Sequence, residues 1–279
     1  MLQLGLKVIH VLPVRDSWLH REIESLPVPF TPVSSKLEAI SAIESLSFDV
    51  FVSTGFPFIL PISRLRETTG GAEFVNIHPS YLPDLRGADP IPGAILHRRD
   101  SGVSCHLMDD GVDTGPIIAQ RKIPFSESLD AGLLYQLCFR LEPEIFEAAF
   151  QIGFSPQRVQ KANEDSVVYY TFRDSDLILD LTDSDQAILS RVRAFNTGRK
   201  GVRFRAASTE FKTFAADFFE SPAITRLYAG CPENTIVATF DDSILVARKA
   251  SVLRLAKLEP RPASNVVGNM IAPDPHEVG

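Results

Sequence analysis

The chain has 279 residues, 44% hydrophobic and 23% charged, with a formal net charge of −7. That composition excludes a disordered or collagen-like chain, and the acidity disfavours non-specific binding of nucleic acid by the whole surface. No apolar run reaches the length of a membrane span, so no membrane partner is expected. The length suits one large domain and one small one. Cys105, Cys138 and Cys231 form no CxxC pair, which suits reduced thiols in a cytoplasm and gives no zinc site. The first residues, MLQLGLKVIHVL, lack the charged start and small-residue cleavage site of a signal peptide, so a cytoplasmic location is expected.

Residues 6–14 (LKVIHVLPV) read as a buried strand closed by Pro13. Asp16 is placed to cap a short helix over residues 17–26, with Trp18, Leu19 and Ile23 as its apolar positions. Residues 28–33 read as a further strand. Ser34 or Ser35 then caps a helix with Leu37, Ile40, Ile43 and Leu46 at three-residue steps. Residues 49–54 (DVFVST) form a strong strand signal, and this alternation predicts a parallel α/β sheet. Gly5 is the only glycine before Gly55, so no glycine-rich phosphate loop follows the first strand and a dinucleotide fingerprint is absent. The apolar loop 55–61 (GFPFILP) leaves a strand at its carboxyl end, where such sheets bind ligands.

The stretch 74–120 organises the chain. Phe74, Val75 and Ile77 are strand formers, and Pro79 and Pro83 stop the strand. Asn76 and His78 stand two apart and so leave the strand end on one face. An amide and an imidazole so placed can donate to one oxygen, which is how a developing oxyanion is held. A second strand, VSCHLM, precedes a loop with Asp109, Asp110 and Asp113, in which Gly111 and Gly115 allow unusual backbone angles. Singly, each of these residues reads as a turn former or a cap. Ser80 lacks a nucleophile frame and reads as a turn residue.

The run N-I-H-P-S-x-L-P-x-x-R-G from Asn76 to Gly87, followed by H-x-M-D-x-G-x-D-x-G-P-I from His106 to Ile117, resembles the signature of the folate-dependent formyltransferases. That group includes enzymes acting on methionyl-tRNA, on glycinamide ribonucleotide and on amino-sugar nucleotides. The resemblance is strong over roughly the first half and looser beyond. It implies a catalytic trio of Asn76, His78 and Asp113; the chemistry expected of them is that Asn76 and a protonated His78 donate to the oxyanion while Asp113 holds His78 charged and accepts the amine proton. It implies N10-formyltetrahydrofolate as formyl donor, no metal, and a folate pocket lined by Phe58, Ile59, Leu60, Asp109, Asp110 and Gly111. Arg86 is open between two roles, binding an acidic substrate group and bridging to Asp84 or Asp89. His106 alternates with Cys105 and Leu107 and is left outside the trio. Relative to the family the N-terminus is about one βα unit short.

Residues 88–99 resemble the family helix after the R-G turn, 117–123 read as strand, and 128–154 as an amphipathic helix interrupted near Pro143. A domain boundary is expected around 153–162. Residues 183–195 carry an Asp/Ser cap and helical spacing. Short β runs follow at 202–205, 235–240, 243–247 and 251–258, with a turn at Asp241-Asp242. They resemble the OB-like module found at the C-terminus of some family members. The expected layout is a parallel Rossmann-like α/β formyltransferase domain at 1–155, the OB-like module at 156–262, and a loose tail at 263–279. The cluster Arg191, Arg193, Arg199, Lys200, Arg203 and Arg205 suggests phosphate. However, residues 161–262 hold 15 Lys and Arg against 14 Asp and Glu, so the module is not basic.

The expected acceptor is a small-molecule amine, an amino sugar on a nucleotide carrier. Glycinamide ribonucleotide is disfavoured by the missing phosphate loop. Methionyl-tRNA is the alternative, disfavoured by the acidity and by the lack of the family's early basic insertion. Hydrolysis of the formyl-folate is a third reading, and a non-catalytic folate-binding module a fourth. A homodimer is compatible with the resemblance.

Overall fold

The computed structural model describes residues 4–161, 167–198, 200–249 and 251–272. Ala162 of the expected boundary, Arg199 of the basic cluster and residues 273–279 of the expected tail lie outside them. In chain order the helices are α1 Trp18–Ile23, α2 Lys36–Glu44, α3 Ile62–Thr68, α4 Pro90–Leu96, α5 Ala131–Gln151, α6 Asp185–Ala194 and α7 Pro222–Leu227. The strands are β1 Val50–Thr54, β2 Glu73–His78, β3 Ser101–Leu107, β4 Ile117–Ile123, β5 Val202–Ala206, β6 Thr209–Thr213, β7 Ala215–Phe219, β8 Ile236–Phe240, β9 Ser243–Ala247, β10 Val252–Ala256 and β11 Ile271–Ala272. Contacts divide the chain into one unit of Met1–Pro90, Asp100–Pro124 and Leu137–Tyr170, and a second of Ile91–Arg99, Phe125–Gln136 and Thr171–Gly279.

The first unit is built on a four-stranded sheet in the order β1-β2-β3-β4. Only β1 and β2 run parallel; β3 and β4 join antiparallel. The fold class is therefore α/β with a sheet that begins parallel and ends mixed. Phe74, fully buried on β2, anchors the core under α2 and α3 with Val33, Ile40, Ile43 and Leu65. The rings of Phe48 and Phe51 lie 5.9 and 5.4 Å from it. Register then fixes the carboxyl end of the sheet. Ser53 pairs with Asn76, Asn76 with His106, and His78 with Ser104. Residues paired across a ladder share a face, so Asn76, His78 and His106 emerge on the face of Phe74.

Several sequence expectations shift. Residues 6–14 and 28–33 make two isolated parallel bridges, Val11 with Phe30 and Val14 with Val33, instead of strands. Pro13, Pro29 and Pro32 remove the donors a longer ladder needs. Ser17, not Asp16, caps α1, and Ser35 caps α2. Trp18, Leu19 and Leu37 point to solvent. Helix α5 runs unbroken through Pro143, because the bond that proline removes falls at exposed Phe139, where water can take its place.

The second unit holds two antiparallel sheets, β7-β10-β9-β8 and β11-β5-β6. Strands β6 and β7 and helix α7 were not anticipated. Their turn residues are not Gly or Pro pairs, so the run 202–219 offers little punctuation. Residues 264–272, read as loose, carry a 3₁₀ turn at Ser264–Val266 and strand β11 against β5.

Truncating Phe74→Ala should cost about 3–5 kcal/mol in urea unfolding, whereas exposed Leu37→Ala should change it by less than about 0.5 kcal/mol. Equal effects would contradict the placement of the core.

Candidate active site

Three structural pieces meet at the carboxyl end of β2. Strand β2 delivers Asn76 and His78, strand β3 delivers His106, and the loop after β3 delivers Asp113. Asp113 has a positive φ of 53°, a conformation that Asp tolerates better than most residues. The loop closes tightly behind it. A Cβ on Gly115 would collide with the carbonyl of Leu107, so glycine is required there for close approach. Neither Gly111 nor Gly115 has a positive φ, so the expected reason for these glycines does not apply.

The Asp113 carboxylate is nearly buried and surrounded by donors. Asn76 Nδ2 donates to its Oδ1 at 3.2 Å, and the Gly87 N–H donates to its Oδ2 at 3.0 Å. His78 Nδ1 lies 3.7 Å from Oδ2, and His106 Nε2 lies 3.5 Å from Oδ1. Burial pushes this carboxyl up. The polar neighbours His106 and His78 and the Gly87 N–H outweigh burial and hold it at about 2.

The imidazole protons follow from their partners. His78 Nε2 is 2.9 Å from the Leu85 carbonyl, and His106 Nδ1 is 2.8 Å from the Leu107 carbonyl. A carbonyl only accepts, so each of these nitrogens carries the proton. In the neutral rings the lone pairs are then on His78 Nδ1, facing Asp113, and on His106 Nε2, which lies 3.2 Å from Asn76 Nδ2. Burial lowers the His78 pKa; Asp113 opposes this without overcoming it. The expectation of a protonated His78 is therefore corrected: desolvation keeps it neutral at neutral pH.

Other expected site residues separate. Arg86 is 2% exposed; its Nη2 donates to Gln160 Oε1 at 2.8 Å and its Nη1 to the Tyr169 hydroxyl at 2.5 Å. It is thus turned inward, with neither a route to substrate nor an ion pair to Asp84 or Asp89. Leu60 is buried in the core, Phe58 packs edge-on against Phe56 at 5.3 Å, and Ile59 is exposed. Asp109 accepts from Thr114 Oγ1 at 2.6 Å and from the Gly111 N–H at 3.1 Å. Asp110 accepts from the Ser63 N–H and hydroxyl at the start of α3. These two carboxylates brace the loop. Ser80 donates to the Asp84 carbonyl, as a turn residue does. His106 opens the second motif half, which was the signal for it, but strand alternation alone left it outside the trio; its register opposite Asn76 was not visible.

A buried carboxylate, two imidazoles and an amide at a sheet end make an α/β site equipped for proton transfer and for holding charge on an oxygen. The profile of the formyl transferase family matches residues 20–150. A methionyl-tRNA formyltransferase of Synechococcus sp. (strain JA-3-3Ab) is 32% identical over 76% of this chain and 68% of its own length. One from Ralstonia nicotianae is 29% identical over 92% of this chain and 84% of its own. The fold also matches the crystal structure of WlaRD, a sugar 3N-formyltransferase solved with dTDP and 5-N-formyl-THF. The TM-score is 0.62 at 20% identity, covering 89% of this chain and 87% of that one. The chain belongs to the formyl transferase family. Among the described residues no helix is long and apolar enough to cross a membrane.

His78 should titrate below its ordinary 6.5. Its contribution to stability is then present above pH 6.5 and lost as pH falls through the lowered value. Removing the carboxylate that supports its proton, as in Asp113→Asn, should lower the His78 pKa further, read by NMR of the ring. A rise would contradict the geometry.

Proposed function

We propose that this enzyme transfers the formyl group of N10-formyltetrahydrofolate to a small primary amine, the amino group of a nucleotide-linked sugar. The cluster of Asn76, His78 and Asp113 supports the chemistry. A neutral amine attacks the formyl carbon, and the carbonyl electron pair moves to oxygen. Asn76 Nδ2 supplies a hydrogen bond to that oxyanion by releasing its weaker partner, His106 Nε2, while the carboxylate keeps the other hydrogen. The amine nitrogen must then lose a proton. A carboxyl held at about 2 is a poor base at neutral pH, so the proton settles on His78 Nδ1, where Asp113 stabilises the imidazolium. The proton passes to the folate nitrogen as its bond to the formyl carbon breaks, and His78 returns to neutral. By the family resemblance, the loop of Phe58 to Leu60 and the backbone of residues 109–111 would line the folate.

The acceptor reading rests on charge. The net charge is −7, and cations of the second unit are engaged locally. Arg191 pairs with Asp183 at 2.9 Å, Arg193 donates to the Glu127 carbonyl at 2.7 Å, and Arg254 pairs with Asp217 at 2.6 Å. A tRNA needs a broad free basic face; a sugar nucleotide needs one or two cations. Methionyl-tRNA is the second reading, favoured by the Synechococcus and Ralstonia relatives.

Asn76→Ala, His78→Ala and Asp113→Ala should each lower kcat about 100- to 1,000-fold. Formyl-folate affinity should change far less. Near-normal turnover in Asp113→Ala would refute the assignment. Supplying UDP-, GDP- or dTDP-linked amino sugars against methionyl-tRNA, at low and moderate salt, separates the acceptors. Efficient, salt-sensitive formylation of the tRNA with no turnover of any amino sugar would establish the second reading.

A further inference from the structure

The strap that follows α5 crosses both halves of the motif. Gln157 and Arg158 N–H groups donate to the Ile117 carbonyl, and Arg158 Nη2 donates to the Leu82 carbonyl at 2.7 Å. Further on, Tyr170 N–H donates to the Arg86 carbonyl, and the Arg86 N–H donates to Val168. Between these contacts lies Gln160, 9% exposed and outside both motif runs.

Its amide is fully directional. Nε2 donates to the Asp113 carbonyl at 3.0 Å and to the Gly115 carbonyl at 2.7 Å. Oε1 accepts from Arg86 Nη2 at 2.8 Å. Carbonyls only accept and a guanidinium only donates, so one orientation satisfies all three contacts and the flipped one satisfies none. The two carbonyls belong to the residue whose carboxylate organises the site and to the glycine that closes its loop. Arg86 sits in the turn whose next residue, Gly87, gives its N–H to the same carboxylate. One side chain therefore ties the backbone of the Asp113 loop to the turn that binds the Asp113 carboxylate.

We propose that Gln160 is a positioning residue for Asp113, and that Arg86 sets the direction in which the Gln160 amide faces. Asp113 has a strained backbone at φ 53°. Such a conformation persists only where its surroundings hold it. The Gln160 amide supplies that hold through the Asp113 carbonyl, leaving the carboxylate free to face His78 and Asn76. This also accounts for Arg86. Its guanidinium has no carboxylate within 4.0 Å among the described residues, and its Nε has no hydrogen-bond partner. A buried cation with neutral partners is costly; its orienting role explains why a neutral amide, not an acid, stands opposite it.

The proposal rests on the reading of Asp113 as a catalytic residue, and the test separates the two. Gln160→Glu gives Arg86 a counter-charge but cannot donate to either carbonyl. If Gln160 only fills space or balances Arg86, this variant keeps kcat and gains thermal stability. If Gln160 positions Asp113, kcat falls about 100-fold, the effect of a misplacement of order 1 Å. KM for the acceptor amine and for formyl-folate stays unchanged and the melting temperature is retained. Gln160→Met, which removes every hydrogen bond at similar length, should lose kcat equally, with a lower melting temperature. Asp113→Asn is measured alongside. An inactive Asp113→Asn with normal kcat in Gln160→Glu overturns the positioning role alone. An active Asp113→Asn overturns the reading on which it stands.

Discussion

An ionised carboxylate cannot be withdrawn from water without donors to replace it. Asp113 meets that demand with donors from separate stretches of chain: the strand-end amide of Asn76 and the Gly87 N–H of a turn. Two imidazoles lie just beyond at 3.5 and 3.7 Å. Each of those partners must be held as well. The turn that offers Gly87 is pinned by Ser104, which donates to the Ser80 carbonyl at 2.8 Å and accepts from Leu82 N–H, and by Arg158 on the Leu82 carbonyl. The sheet supplies Asn76 and His106 by register. Much of the polar interior of the first unit thus follows from keeping one negative charge in place.

The same environment divides labour between acid and base. Burial that makes the carboxylate dependent on donors also strips His78 of its proton at neutral pH. The pair then has a strong anion beside a neutral imidazole whose lone pair faces it. That arrangement favours taking a proton from an amine more than donating one to a carbonyl oxygen, which leaves the oxygen to Asn76. Glycine at 115 and the positive φ of Asp113 are the backbone conditions for it.

The motif singled out Asn76, His78 and Asp113, and the fold brings their side chains together. Asn76 and His78 read correctly as two residues on one face, because strand alternation is a local rule. Asp113 came from its place in the second motif half. What failed was non-local. His106 joined the cluster through a register with β2 that no single strand reveals. Arg86 read as either a substrate contact or a bridge to Asp84 or Asp89, yet its partners Gln160 and Tyr169 lie more than seventy residues later. Asp109 and Asp110 share a loop with Asp113 but turn to Thr114 and Ser63. In the fold, β1, β2 and α2 were legible from apolar pattern and caps. The N-terminal strands were not, since three prolines removed their donors, and β6 and β7 lacked turn signals.

The most direct test of the central claim is a crystal structure of the protein with 5-formyltetrahydrofolate bound. The account requires the formyl-bearing end of the folate to enter the cleft at the carboxyl end of β2, with a formyl oxygen or its attached carbon within about 4 Å of Asn76 or His78, and the Asp113 carboxylate still held by Gly87. A folate whose formyl end lies out of reach of Asn76, His78 and Asp113 would contradict it.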